Sequence, residues 1–141
     1  MPGASARESV VGQALVAMYI VEPGHTAEAF SNAGVVVLGT PALVGFVEET
    51  CLRAIQPFLQ PGEASVGVHV DLRHLRPTPI GAEVFVKVRV ESVDGDRVQF
   101  GFDASDAGGI VATGRHTRHC IDLARFMRGA NRRAPGTAAD L

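Results

Sequence analysis

The sequence predicts an α+β domain in which an antiparallel sheet wraps around one long apolar helix. Three observations predict it. Residues 40–55 (TPALVGFVEETCLRAI) have helical periodicity and are apolar over most of the circumference, so a flat layer would leave part of that surface wet. From Val66 onward the period drops to two, with one apolar and one polar side to each segment. Short Gly-containing turns join the later segments, so neighbouring strands run antiparallel.

A chain of 141 residues suits one domain with one core. A formal net charge of -2 gives no general attraction to nucleic acid or to a membrane surface. We expect residues 1–8 to be a flexible N-terminus, 9–123 the folded domain, and 124–141 a basic, partly frayed tail.

Residues 9–21 read as the first strand. Val10 to Val21 is apolar enough to resemble the core of a secretion signal. However, its flank Arg7-Glu8 has no net positive charge, and Gln13 and Tyr19 interrupt the run. It is also too short to span a bilayer. The expectation is a cytoplasmic protein with no membrane partner. Cys51 and Cys120 form no CxxC and no zinc-type spacing, and read as small buried residues in a reducing compartment.

Residues 22–39 (EPGHTAEAFSNAGVVVLG) read as a loop or lid. Thr40-Pro41 is a helix start, with a hydroxyl at the N-cap and proline at the first helical position. The helix runs to about Gln56, where Pro57 and Gln60-Pro61-Gly62 end it. Val66, Val68, Val70 and Leu72 then form the dry side of a strand. Val84, Val86, Val88 and Val90 form the next, Asp94-Gly95 turns the chain, and Val98, Phe100, Phe102 and Ala104 follow. After Ala107-Gly108-Gly109, residues 110–123 make the last strand. A curved sheet around one apolar helix is the hotdog arrangement.

Two adjacent glutamates sit in the helix about 100° apart, so they face different surroundings. Val44, Glu48, Cys51, Ile55 and Leu59 share one apolar stripe, whereas Glu49 shares the other side with Gly45, Arg53 and Gln56. This phase sends Glu49 to water and Glu48 to the interior or a cleft. His74 continues the dry side Val66-Val68-Val70-Leu72 at the strand's end. Burial raises the pKa of a carboxyl and lowers that of an imidazole, which brings both toward the range useful for proton transfer. Glu48 and His74 are thus either a catalytic pair or a structural hydrogen bond. Thr40 is a plain helix cap on one reading. On the other, its hydroxyl sits where free N–H groups and the helix dipole favour an oxyanion.

Gly39-Thr40, Glu48 within GFVEETCLRAI, PFLQPGE at 57–63, and Gly67 and His74 within SVGVHVDLRHLRPTPIG resemble the fluoroacetyl-CoA thioesterase-like branch of the hotdog thioesterases. The resemblance covers about residues 38–130. It implies catalytic Thr40, Glu48 and His74, with Gly67 close to the thioester carbonyl and Arg118 where the family has an arginine on the last strand. It also implies an acyl-CoA or acyl-carrier thioester substrate and a homodimer or dimer of dimers with each site at the subunit interface. The lid segment Phe30-Ser31-Asn32-Ala33-Gly34-Val35-Val36-Val37 has fewer aromatic residues than the fluoroacetyl-specific member, so the resemblance extends to thioester hydrolysis and not to that selectivity.

His116 and His119 are three residues apart and face opposite sides of a strand, which disfavours a metal site. No phosphate-binding loop or dinucleotide fingerprint occurs, so no metal and no cofactor is expected. Arg125, Arg128, Arg132 and Arg133 read as a solvated basic cluster, although arginine also suits the phosphates of coenzyme A. Two further readings are a hotdog hydratase or dehydratase, whose Asp/His loop pattern is not evident, and a non-catalytic acyl-thioester-binding dimer.

Overall fold

The computed structural model describes residues 7–136. Five strands form one antiparallel sheet: β1 (Ala14–Ile20), β2 (Glu63–His74), β3 (Glu83–Asp94), β4 (Arg97–Asp106) and β5 (Gly109–Asp122). Their order across the sheet is β1-β3-β4-β5-β2. The long helix α1 (Thr40–Ile55) packs against β1, β2 and β3, and a second helix, α2 (Leu123–Arg132), follows β5 directly.

The core lies between α1 and the concave side of the sheet. Val84, Val86, Val88 and Val90 of β3 are buried, as are Val98, Phe100 and Ala104 of β4, in the alternation the sequence shows. On α1 the fully covered stripe runs through Leu43, Val47, Cys51 and Ile55, with Phe46, Thr50 and Ala54 beside it. Val44 and Glu48 lie at its margin and are half-buried, so the expected stripe is displaced by part of a turn. Leu59 falls beyond the helix, past a single 3₁₀ turn at Gln56–Phe58. Glu49 is exposed, as the phase requires.

Four boundaries differ from the sequence reading. β1 starts at Ala14 rather than near residue 9, because the chain turns through Gly12 (φ 91°), whose N–H bonds Val90 O at 2.9 Å. Gly39, not Thr40, is the N-cap of α1, and Thr40 is its first residue. In the N-terminal segment expected to be flexible, Arg7 is ion-paired to Glu63 and Asp96; residues 1–6 lie outside the described part. The start of the expected frayed tail is helical, because Asp122 caps α2 by accepting the Arg125 N–H at 2.9 Å. Residues 137–141 also lie outside the described part.

The largest difference is in β2. A bulge at Gly67/His69 inserts Val68, so Gly67 pairs with Arg118 while His69 already pairs with Thr117. Cross-strand partners share a face. Ahead of the bulge the concave side carries Ser65 and Gly67, opposite Cys120 and Arg118; beyond it, Val70, Leu72 and His74, opposite His116, Gly114 and Ala112. Val66 therefore does not belong to the dry side expected for it, and Val68 is 54% exposed. The bulge lets Gly67 and His74, seven positions apart, both face inward.

Candidate active site

Thr40 and His74 are brought together. Thr40 stands on the first turn of α1, where Pro41 supplies a fixed φ and the helix leaves N–H groups free. Its Oγ1 lies 2.8 Å from His74 Nδ1 at the end of β2. The hydroxyl therefore serves the histidine and does not cap the helix. The other ring nitrogen, His74 Nε2, is buried with no hydrogen-bond partner among the described residues. A cleft of about 290 Å³ opens here, lined by Val35, Val37, Gly39, Thr40, His74 and Leu75. A larger hollow of about 610 Å³ opens elsewhere, against Met18, Phe30 and Phe46, and none of the five sequence-selected residues lines it.

Glu48, Gly67 and Arg118 form a second group. A methyl built on Gly67 would come within 2.5 Å of Glu48 Oε1, 3.0 Å of His116 Cε1 and 3.4 Å of Arg118 Nη1. Only a residue without a side chain lets the carboxylate approach this strand. Arg118 is 5% exposed, and burial lowers its guanidinium from the usual range, with Glu48 the largest opposing influence. Its Nε donates to Ser65 Oγ and its Nη2 to Ser65 O, both at 2.9 Å. Nη1 lies 3.1 Å from His116 Nε2.

Within one subunit the two groups are far apart. Thr40 and Glu48 are eight residues apart on α1, a rise of about 12 Å. Gly67 and His74 are seven apart on β2, roughly 20 Å. The expected Glu48–His74 contact is therefore absent from the single chain. Sequence reasoning weighed His116 only as a metal ligand and gave it no place in the site; it is 0% exposed and touches Arg118. A signal was present, because His116, Arg118 and Cys120 have the same parity on β5. Among the described residues, no group of three His, Cys, Asp or Glu side chains is placed to hold a metal ion. No helix there is long and apolar enough to cross a membrane. Burial pushes the Cys51 thiol up to about 12, so it stays protonated at neutral pH.

The sequence matches the family model described as fluoroacetyl-CoA-specific thioesterase over residues 21–124. The chain belongs to that family. The matched span contains Thr40, Glu48, Gly67, His74 and Arg118. The fluoroacetyl-CoA thioesterase of Streptantibioticus cattleyicolor is 34% identical over 99 residues, 70% of this chain and 71% of that one. A solved structure of the fluoroacetyl-CoA thioesterase FlK superposes with a TM-score of 0.83 at 30% identity, covering 89% of this chain and 97% of the other. A hot-dog-like protein from Thermanaerovibrio acidaminovorans does so with a TM-score of 0.83 at 27% identity, over 90% and 94% of the two chains. The fold of this family member is accordingly the hotdog.

Proposed function

We propose that the protein hydrolyses a small acyl-CoA thioester at a site shared between two subunits. The observation that carries this reading is the Thr40–His74 pair at the N-terminus of α1, with a buried, unpartnered Nε2 beside a cleft. Membership in the thioesterase family supports it. Thr40 fixes the ring through Nδ1, and Nε2 handles the proton of the attacking water or of the departing thiol. The thioester carbonyl lies by Gly67, where negative charge developing on its oxygen meets backbone N–H and Arg118. Water adds to the carbonyl carbon, the C–S bond breaks, and the proton passes to the sulfur; the products are a carboxylic acid and the free thiol.

Separation of the two groups within one chain supports a homodimer. Thr40 and His74 of one subunit would face Glu48 of the partner subunit, with Glu48 orienting the histidine or attacking as a carboxylate. β2 is an edge strand with Val68 exposed and Leu75 exposed just beyond its end, as an interface strand would be. Two buried free cysteines fit a reducing, cytoplasmic setting. The lid segment 30–37 carries one aromatic ring, Phe30, itself 51% exposed, so the reading extends to small acyl groups in general and not to fluoroacetyl selectivity.

Steady-state hydrolysis of a panel of acetyl-, propionyl-, butyryl- and fluoroacetyl-CoA tests the activity, and absence of turnover on all four would overturn it. A mixed dimer tests the sharing. Refolding His74→Ala with Glu48→Gln gives hybrids with one doubly damaged and one intact site, so about a quarter of parental activity should return if sites are shared. No recovery means that each chain carries its own site. Single-turnover reaction in isotopically labelled water, followed by mass analysis of Glu48, separates carboxylate attack from water attack.

A further inference from the structure

We propose that His116 is a positioning residue of the thioesterase site, coupling the bulge beside Gly67 to the guanidinium of Arg118. This rests on the hydrolase reading above for its effect on rate, though not for its geometry.

The two nitrogens of His116 have different partners. Nδ1 lies 2.8 Å from His69 O, and a carbonyl oxygen only accepts, so Nδ1 carries the hydrogen and donates. Nε2 is then a lone pair, and it lies 3.1 Å from Arg118 Nη1, which only donates. Both contacts are satisfied by the same neutral tautomer and by no other protonation state. The surroundings agree. The ring is 0% exposed and stacks on Phe100 of β4 at 6.2 Å between centroids. Burial first, and the Arg118 charge second, hold its pKa below the usual imidazole range, against the opposing His69 carbonyl bond and the Glu48 carboxylate; the His69 side chain acts in the lowering direction.

Each contact fixes something the site needs. His69 is the residue that follows the inserted Val68, where the β2–β5 register shifts. A bulge leaves backbone groups outside the regular ladder, and the His116 N–H takes one of its carbonyls. That holds the bend that turns Gly67 toward Glu48. On the other side, the imidazole accepts from Nη1 without bringing a negative charge, while Ser65 holds Nε and Nη2. The guanidinium is locked in place, and its positive charge keeps Glu48 as its leading negative counterpart. A carboxylate in place of the ring would compete for Arg118. Protonation would place a cation against it and remove the acceptor.

The test uses three variants with the parent enzyme. Glutamine carries an acceptor to about the place of Nε2, asparagine keeps a donor near Nδ1, and phenylalanine keeps the packing and neither contact. We expect His116→Gln and His116→Asn, which each keep one of the two contacts, to lose less of kcat than His116→Phe, which keeps neither and should lose roughly 10–100-fold, the usual penalty for displacing reacting groups by a fraction of an ångström to 1 Å. KM should change much less than kcat. Rates are taken where circular dichroism shows each variant fully folded. A purely structural histidine would lower Tm and leave kcat of the folded enzyme unchanged, and that result overturns the proposal. Nitrogen-15 NMR of the parent gives a readout that needs neither a folded variant nor activity: a protonated Nδ1 and bare Nε2 on His116 at neutral pH are expected, and the opposite tautomer or an imidazolium sinks the idea. If the parent turns over no acyl-CoA, the hydrolase reading fails on its own, and the tautomer measurement still decides the geometry.

Discussion

Thr40 Oγ1 and His74 Nδ1 lie 2.8 Å apart although 34 residues separate them, because the N-terminus of α1 meets the C-terminal end of β2. This contact leaves the opposite ring nitrogen buried and, among the described residues, without a partner. A buried ring nitrogen with no bond costs on the order of 1–3 kcal/mol, which is tolerated where a substrate or a second subunit supplies the partner. His74→Ala should therefore cost about 10²–10⁴ in kcat/KM while leaving Tm unchanged or slightly higher. Thr40→Ala should lower the rate less than His74→Ala, since the ring survives without its anchor. Initial rates and thermal melts check both; a His74→Ala enzyme within a few-fold of the parent would make the residue structural.

Glu48 and Glu49 should separate in function. Glu48→Gln should lose most turnover, again about 10²–10⁴-fold. Its Tm should fall rather than rise, because Arg118 is buried and Glu48 is its leading electrostatic counterpart. A carboxylate on an apolar stripe would by itself give the opposite sign, and the guanidinium across from it reverses that. Glu49→Gln should keep the full rate. Glu49 and Arg53 both act on the Tyr19 hydroxyl at the exposed side of α1, and the loss there should be about 0.3–0.5 kcal/mol. Kinetics and melts of the two variants are sufficient, and a dead Glu49→Gln enzyme would reverse the helical phase.

Two glycines should respond in different ways to alanine. At Gly67 the added methyl meets the far end of the flexible Glu48 side chain at 2.5 Å. The carboxylate can swing aside, so Gly67→Ala should fold and lose activity. At Gly114 the methyl would meet Asp71 O at 1.9 Å and Phe102 Cζ at 2.6 Å. Backbone of a paired strand has no such freedom, so Gly114→Ala should destabilise by about 1–3 kcal/mol or more. Urea unfolding with parallel activity assays distinguishes a damaged site from a damaged sheet.

Alkaline pH should weaken the fold through Cys51. The folded protein raises this thiol from 9.0 to about 12 through burial, so above pH 9 the unfolded chain ionises while the folded one does not. Stability is fully present below pH 9 and falls toward pH 12 by up to about 1.4 kcal/mol per unit from this group. Cys51→Ala should flatten the slope of unfolding free energy against pH in that window. The native thiol should also resist alkylation at pH 8. An unchanged slope would place Cys51 in a wetter environment than the core it occupies.

Much was legible in local pattern. The helix from Thr40, the exposure of Glu49 and the alternation of β3 and β4 depend on residues within a few turns or pleats of one another, where period and capping chemistry are decisive. The cap at Asp122 was equally local and readable, yet the Arg-rich composition that follows hid α2. Only the tertiary structure decided that β2 crosses the helix to pair with β5, that Val68 is an inserted residue, and that Gly67 lies against Glu48 while His74 lies against Thr40. A period-two pattern carries no mark of an extra residue, because each side of the bulge alternates normally. Strand partners are chosen by packing between segments some fifty positions apart, and one residue of register moves every side chain to the other face. That non-local choice made His116 a neighbour of Arg118 and divided the five sequence-selected residues into two groups that one chain cannot bring together.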